Sequence, residues 1–139
     1  SYEKGIDILK NIELKINGKI IYCTNLSWKK TMIILKSSTL LIVPSRMESI
    51  PQVIKEAFYL KIPVIATNVG GIPEIIENNL TGLLCKYDKD TLIRILQDCV
   101  DGQYSNTIIK GIDNQHIQNR FNWDSMAYSY NKIFKAAIM

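Results

Sequence analysis

Short apolar segments that alternate with longer amphipathic ones constrain the fold of this chain more than any other feature. No apolar run in the 139 residues exceeds four residues, which is strand length and far below the ~20 residues of a membrane span. The predicted strands at 39–43 and 63–67 have uninterrupted apolar runs at 40–43 and 64–66. Because such strands are covered on both faces, the pattern predicts a parallel sheet with helices on both faces, in a Rossmann-like α/β fold.

The chain divides into predicted strands and helices in alternation. Strands are expected at 19–24, 39–43, 63–67 and 83–85. Helices are expected at 3–16, 28–37, 51–60, 73–77, 89–101, 105–120 and 123–138. Ser27 and Asp88 are predicted N-caps, and Pro51 is predicted at a first helical position. In such a sheet ligands bind at the carboxyl ends of the strands, so we expect the site in the loops at 44–52 and 67–73.

Composition excludes several classes of protein. The cysteines Cys23, Cys85 and Cys99 are widely spaced, and His116 is the single histidine. We therefore expect no disulfide framework, no metal and no bound cofactor, and we expect a reducing, cytoplasmic location. The net charge is +4, from 17 Lys and Arg against 13 Asp and Glu, and the basic residues are dispersed. A nucleic-acid partner is not expected, since it would need a dense basic patch.

Two carboxylates flank the predicted start of the helix at 51–60. Glu48 lies in the loop and Glu56 on the helix, and a helix rises only about 7.5 Å from 51 to 56. Both can therefore face one ligand near the helix N-terminus. The backbone N–H groups of Gln52 and Val53 are suited to bind a phosphate there, because a first helical turn has no acceptors for them. The alternative interpretation is that both carboxylates are solvated surface groups.

The residues around this pair resemble the signature of the group 1 (family 4) retaining glycosyltransferases, which have the GT-B fold. That signature joins an apolar strand ending in Pro-Ser, a Glu, seven residues, a second Glu and, later, a Gly-Gly-Ile-Pro-Glu turn. The matching segments are, in order, 41–45, Glu48, Glu56-Ala57, 63–67, 70–74 and 82–84, and the tail at 120–123 is also similar. The resemblance implies that residues 1–139 are the C-terminal, donor-binding half of such an enzyme. The beginning of that domain would be truncated, and the acceptor-binding N-terminal domain would be absent.

The resemblance also implies a role for each site residue. Glu48 would be the catalytic residue beside the donor sugar, and Glu56 would bind the ribose hydroxyls of the nucleotide. Backbone N–H groups of the loop would bind the diphosphate, from Ser49, Ile50, Gln52 and Val53. The Gly-Gly turn, Gly70 and Gly71, would line the same cleft. Fixed amides at a helix N-terminus would stabilise the charge of a departing nucleoside diphosphate without a metal ion.

The chain departs from the family pattern at several places. Lys61 stands where the family has Gly, in a left-handed helix C-cap that costs a non-Gly residue on the order of 1 kcal/mol. Thr24 also replaces a Gly. The family's diphosphate-binding basic loop contains an Arg, which has no match, and a Lys that is often followed by Gly. Lys4-Gly5 has two interpretations. In the first it is the family's Lys-Gly dipeptide, and one strand–helix unit is missing between it and Glu48. In the second, residues 3–16 correspond to a later helix of the family, and the first strands are missing.

The resemblance therefore implies transfer of a sugar from a nucleotide-diphosphate sugar to an acceptor hydroxyl with retention, of the hexosyltransferase type. The expected partners are the donor, an acceptor glycan or lipid of polysaccharide or glycolipid biosynthesis, and the missing N-terminal domain, without which the chain is expected to be inactive. Membrane contact is expected only through the full-length protein. Two alternatives remain: a non-catalytic or partner-dependent nucleotide-sugar-binding module with a degenerate GT-B half-fold, and a GT-B relative such as a nucleotide-sugar epimerase.

Other residues receive local predictions. Arg46, beside Glu48, is predicted either to meet a phosphate or to form a local ion pair. Asn25 and Leu26 are placed near the nucleobase by position alone. Cys85 and Cys99 are predicted to line the core, as free cysteines often do.

Overall fold

A parallel sheet of three strands organises the part of the chain that the structure describes. The computed structural model describes residues 2–104 and, beyond them, residues 108, 112, 122, 124, 128 and 132. The strand order is β1 (Leu41–Val43), β2 (Val64–Thr67) and β3 (Gly82–Cys85). The register places Ile42 beside Ile65 and Ala66 beside Leu84. The predicted parallel sheet is confirmed at three of its four strands.

Helices connect and flank these strands. Within the described residues they are α1 (Ile6–Ile12), which continues into a 3₁₀ turn (Glu13–Lys15), α2 (Trp28–Lys36), α3 (Gln52–Tyr59), α4 (Ile72–Ile75) and α5 (Lys89–Val100). Each corresponds to a predicted helix and is shorter than predicted, and α4 also begins one residue before its predicted start at Pro73. The predicted helices at 105–120 and 123–138 lie almost wholly outside the described residues. No helix in the described part is both long enough and apolar enough to cross a membrane.

Local sequence explains where these helices begin. The Ser27 hydroxyl accepts a hydrogen bond from the backbone N–H of Lys30 at 3.4 Å, which caps α2. The Asp88 carboxylate caps α5, because it accepts from two backbone N–H groups of the first turn at 3.3 and 2.9 Å. Both predicted N-caps are confirmed. Pro51 stands one position earlier than predicted, as the N-cap of α3, because its ψ of 123° is extended and not helical.

The hydrophobic core surrounds β2. All four residues of β2 are buried, so this strand is covered on both faces, and the Rossmann-like α/β fold is confirmed. The side chains that pack around it come from every helix and from β3, and they include Ile12, Leu35, Phe58, Ile72, Leu83 and Leu92. Cys85 is buried and Cys99 is half-buried against this core, as predicted. Burial raises the pKa of both thiols to about 11.

The predicted strand at 19–24 is wrong. The chain is irregular there, and Ile21 is 51% exposed. Two cavities, of about 350 and 560 Å³, are each lined both by residues 19–21 and by Ile42 of β1. The segment therefore stands apart from the free edge of β1 instead of pairing with it. Apolar and β-branched residues favour a strand only where a neighbouring backbone is within hydrogen-bonding reach.

Candidate donor site

A cleft of about 560 Å³ opens at the carboxyl end of β1. The irregular segment at 19–25 forms one wall, and the start of α1, the loop after β1 and the first turns of α3 form the others. The polar and charged side chains in its wall include Lys4, Lys19, Asn25, Ser45, Glu48 and Glu56. The cleft lies at the strand end where the sequence predicts a ligand site.

Glu48 lies in this wall with its side chain only 13% exposed. Its carboxylate accepts a charge-assisted hydrogen bond from Nζ of Lys4. The neighbouring Gly5 has φ +66°, and a Cβ on it would come within 1.8 Å of the Pro44 carbonyl oxygen, so only glycine fits. Lys4-Gly5 therefore forms the turn that precedes α1 at the site, and neither residue lies within a helix.

Arg46 forms a local ion pair, one of its two predicted alternatives. Its guanidinium donates to both carboxylate oxygens of Asp7, at 2.7 and 2.6 Å, and stacks on the Tyr2 and Tyr87 rings at 3.9 and 4.4 Å. These hydrogen bonds lower the pKa of Asp7. Because the contacts join the loop after β1 to the residues on either side of Lys4, they hold that lysine at the cleft.

Glu56 enters the cleft from α3. Its Oε1 accepts a hydrogen bond from the indole Nε1 of Trp28 at 2.8 Å. Trp28 is the first residue of α2, and 69% of its surface is exposed. Sequence analysis missed this contact, since it depends on the packing of α2 against α3 and no motif joins the two positions.

The loop between the two carboxylates carries the remaining predicted phosphate contacts. Ser49, Ile50 and Gln52 are exposed, whereas Val53 lines the cleft. The N–H groups of Gln52 and Val53 have no acceptor within α3, because they belong to its first turn. Ser45 is 1% exposed in the cleft wall, and its hydroxyl has no hydrogen-bond partner within the described chain. These groups provide hydrogen-bond donors for an anionic ligand.

The Gly70-Gly71 turn lies directly behind that loop. Gly70 has φ +55°, and a Cβ there would come within 1.6 Å of the Glu48 carbonyl oxygen. The Gly71 N–H donates to the Ser49 carbonyl oxygen at 2.8 Å. In the described structure neither glycine is part of the cleft wall, so the turn acts by supporting the backbone of Glu48 and Ser49.

The charges in the cleft define what it can bind. Two carboxylates can accept hydrogen bonds from hydroxyl groups, while the Lys4 ammonium and the free amides of α3 can bind an anion. Among residues 2–104 and the few described beyond them, no three His, Cys, Asp or Glu side chains are placed to hold a metal ion. The arrangement thus suits a ligand that combines hydroxyl groups with a negatively charged group.

Sequence comparison identifies relatives with related chemistry. The sequence model of the family "Glycosyl transferases group 1" matches residues 7–122. The alpha-1,3/1,6-mannosyltransferase ALG2 of Rhizomucor pusillus is 29% identical over 108 residues, which are 78% of this chain and 24% of that protein. The D-inositol 3-phosphate glycosyltransferase of Streptomyces coelicolor is 32% identical over 104 residues, 74% of this chain and 22% of that protein. The chain thus spans about a quarter of the length of these relatives.

Structural comparison agrees on the fold. The crystal structure of Alr3699/HepE of Anabaena in complex with UDP matches 98% of this chain and 46% of its own chain, with a TM-score of 0.78 and 17% sequence identity. Sucrose-phosphate synthase of Thermosynechococcus elongatus matches 97% of this chain with a TM-score of 0.73 and 22% identity. The family match covers most of the chain, and the fold is that of the GT-B enzymes: the chain belongs to the group 1 glycosyl transferases.

Proposed function

We propose that this chain is the donor-binding domain of a glycosyltransferase that transfers a sugar from a nucleotide-diphosphate sugar to an acceptor hydroxyl, with retention of configuration. The observation that carries the proposal is the convergence of Glu48, Glu56 and Lys4 on one cleft at the carboxyl end of β1. HepE, which shares the fold, is described in complex with UDP and with UDP-glucose, and this supports a nucleotide sugar as the class of ligand.

Each side chain has a role in this proposal. Glu56 accepts hydrogen bonds from the ribose hydroxyls, and Glu48 accepts from the hydroxyls of the donor sugar. The backbone N–H groups of Ser49, Ile50, Gln52 and Val53 and the Lys4 ammonium bind the diphosphate. Gly70 and Gly71 keep the loop backbone in place, because a side chain at either position would displace it.

The reaction needs stabilisation of a leaving group. When the bond between the anomeric carbon and the phosphate oxygen breaks, the oxygen keeps the electron pair and the nucleoside diphosphate gains negative charge. The Lys4 ammonium and the fixed amides of α3 stabilise that charge without reorganisation. Glu48, paired with Lys4, lies where the positively charged sugar develops. A second domain binds the acceptor, a glycan or lipid of polysaccharide or glycolipid biosynthesis. The acceptor hydroxyl oxygen bonds to the anomeric carbon, and its proton passes to the departing nucleoside diphosphate.

Calorimetric titration with UDP, GDP and ADP tests this function. We expect the chain to bind one of the three, and Glu56→Gln to weaken that binding about tenfold, since a hydrogen bond to a charged group contributes about 1.5–3 kcal/mol. The matched control is Glu77→Gln, which changes an exposed carboxylate that does not line the cleft. Absence of binding by a folded chain, or equal weakening by both variants, would contradict the proposal.

A further inference from the structure

Trp28 is an unusual side chain for its position. Tryptophan is highly buried on average, yet 69% of this residue is exposed at the start of α2. Its ring is nevertheless oriented, because the indole N–H donates to Glu56 at 2.8 Å. An aromatic side chain that is held by its polar atom while its apolar faces stay in water is typical of binding surfaces.

The surroundings of Trp28 place it at the rim of the cleft. Asn25, three residues before it, and Thr31, three residues after it, both line the cleft, as does its partner Glu56. Asn25 has φ +57°, a left-handed turn that directs the chain into α2. Trp28 itself is not part of the cleft wall, and its indole reaches the cleft through the hydrogen bond to Glu56.

This hydrogen bond gives the two oxygens of the Glu56 carboxylate different environments. One oxygen is engaged by the indole N–H, a group that only donates, and the other oxygen keeps its lone pairs for a ligand. Because the donor is neutral, it orients the carboxylate without cancelling its charge. A carboxylate held in one rotamer loses less conformational entropy when it binds hydroxyl groups.

We propose that Trp28 is a positioning residue of the nucleoside subsite: its N–H holds Glu56 in the orientation that accepts the ribose hydroxyls, and its exposed ring lies beside the bound nucleoside. This inference rests on the proposed function, since it requires that Glu56 bind ribose. It predicts that the indole N–H of Trp28, which Trp28→Phe removes while keeping an aromatic ring, contributes to the affinity for the ribose hydroxyls and not to the affinity for the rest of the nucleotide.

The test compares the nucleoside diphosphate that binds with its 2′,3′-dideoxy analogue, which lacks both ribose hydroxyls. We expect the wild-type chain to prefer the ribonucleotide about tenfold, and Trp28→Phe to reduce that preference to about twofold with little change in affinity for the analogue. Tyr59→Phe, which alters another exposed aromatic side chain, should keep the wild-type preference. A structural defect would instead weaken both ligands equally.

A second measurement on the wild-type sequence does not depend on the folding of Trp28→Phe. The chain has two tryptophans, so Trp123→Phe assigns the indole N–H resonance of Trp28 in a ¹⁵N spectrum. We expect the ribonucleotide to shift this resonance and the dideoxy analogue to shift it less.

The outcomes separate the two proposals. If the wild-type chain binds a nucleotide, Glu56→Gln weakens it, and Trp28→Phe keeps the full preference for the ribonucleotide, the role of Trp28 is overturned while the donor site stands. The role is also overturned if both ligands shift the Trp28 resonance equally. If no nucleotide binds, both proposals fail.

Discussion

Glu48 and Glu56 have different hydrogen-bond partners, and the two carboxylates are therefore suited to bind different groups of a ligand. Glu48 is mostly enclosed and is neutralised by the ammonium of Lys4. Glu56 is held by a neutral indole and keeps its charge. A phosphate that approaches Lys4 competes with Glu48 for the same cation, whereas a hydroxyl group that approaches Glu56 meets no competing cation in the described contacts of that carboxylate.

The variant Glu48→Gln tests this division of roles. We expect free nucleoside diphosphate to bind this variant at least as tightly as wild type, because Lys4 no longer has a competing carboxylate. The nucleotide sugar should bind about tenfold more weakly, because its hydroxyls lose a charged acceptor. Calorimetry with the two ligands measures both affinities. Equal weakening of both would place Glu48 at the diphosphate and not at the sugar.

The ion pair between Arg46 and Asp7 predicts a pH dependence of stability. The hydrogen bonds from Arg46 lower the pKa of Asp7 below its ordinary value of 3.8. A lowered folded-state pKa contributes stability that is present above the unfolded-state pKa and is lost as the pH falls through the folded-state pKa. Urea unfolding should therefore show wild type more stable than Asp7→Asn at pH 7, with a difference that shrinks below about pH 4. A constant difference from pH 7 to pH 3 would argue against the ion pair.

At the scale of elements, the end of α3 shows a local conflict between sequence and conformation. The Ile62 N–H donates to the Ala57 carbonyl at 2.8 Å and the Lys61 N–H donates to the Phe58 carbonyl at 3.0 Å, the hydrogen-bond pattern of a Schellman motif. Lys61 occupies the left-handed position of that motif, with φ +58°. The predicted departure from glycine is thus confirmed as a residue in a conformation that glycine adopts more readily.

Lys61→Gly should stabilise the chain. We expect the free energy of unfolding to rise by about 1 kcal/mol, because glycine removes the steric cost of the left-handed conformation. Lys61→Ala is the matched control, since it also removes the lysine side chain and its contacts but keeps Cβ. Urea denaturation compares the three chains. A Lys61→Gly variant no more stable than Lys61→Ala would be inconsistent with strain at this position.

Gly70, in the turn before α4, can be compared with Gly102, which follows α5. Gly70 and Gly102 both have positive φ, but a Cβ on Gly70 meets the Glu48 carbonyl oxygen at 1.6 Å whereas a Cβ on Gly102 meets nothing within 4 Å. Both alanine substitutions should cost about 1–2 kcal/mol from backbone strain. Gly70→Ala should cost more and should also weaken nucleotide binding, because the loop of Glu48 must move. Equal losses of stability and affinity in the two variants would refute this.

At the scale of the whole molecule, the cleft joins segments that are far apart in the chain. Its wall combines the start of α1, the irregular segment at 19–25, the loop after β1 and α3. A ligand that binds there links these segments to one another. Binding should therefore stabilise the fold as a unit and not only the loop that it touches.

Thermal unfolding measures this linkage. A nucleotide at 100 times its Kd should stabilise the folded chain by about 2.7 kcal/mol, and thus raise Tm by about 8 °C for a chain of this size. Glu56→Gln should show a smaller rise at the same ligand concentration. If Tm does not change at concentrations that saturate binding in calorimetry, the ligand binds the unfolded chain as well as the folded one.

Local rules account for the parts of the fold and site that were predictable. The caps at Ser27 and Asp88, the buried strand β2 and the free amides at the start of α3 follow from a few neighbouring residues. Short-range patterns also placed Glu48 and Glu56 at one end of the sheet, because the loop and the first turns of a helix have little freedom in length. These patterns did not predict that residues 19–24 would remain without strand pairing to β1.

Interactions between distant residues were decided by packing. Lys4 and Glu48 lie 44 residues apart and Trp28 and Glu56 lie 28 apart. Apart from the strand wrongly predicted at 19–24, the amino-acid sequence alone specified the elements of residues 2–104, their order and the chemical groups at the strand ends, since backbone propensity and capping act within a few residues. Which side chain meets which carboxylate depends on the angles at which α1 and α2 pack against the sheet and α3. Those angles follow from burial of the whole core and not from any single segment.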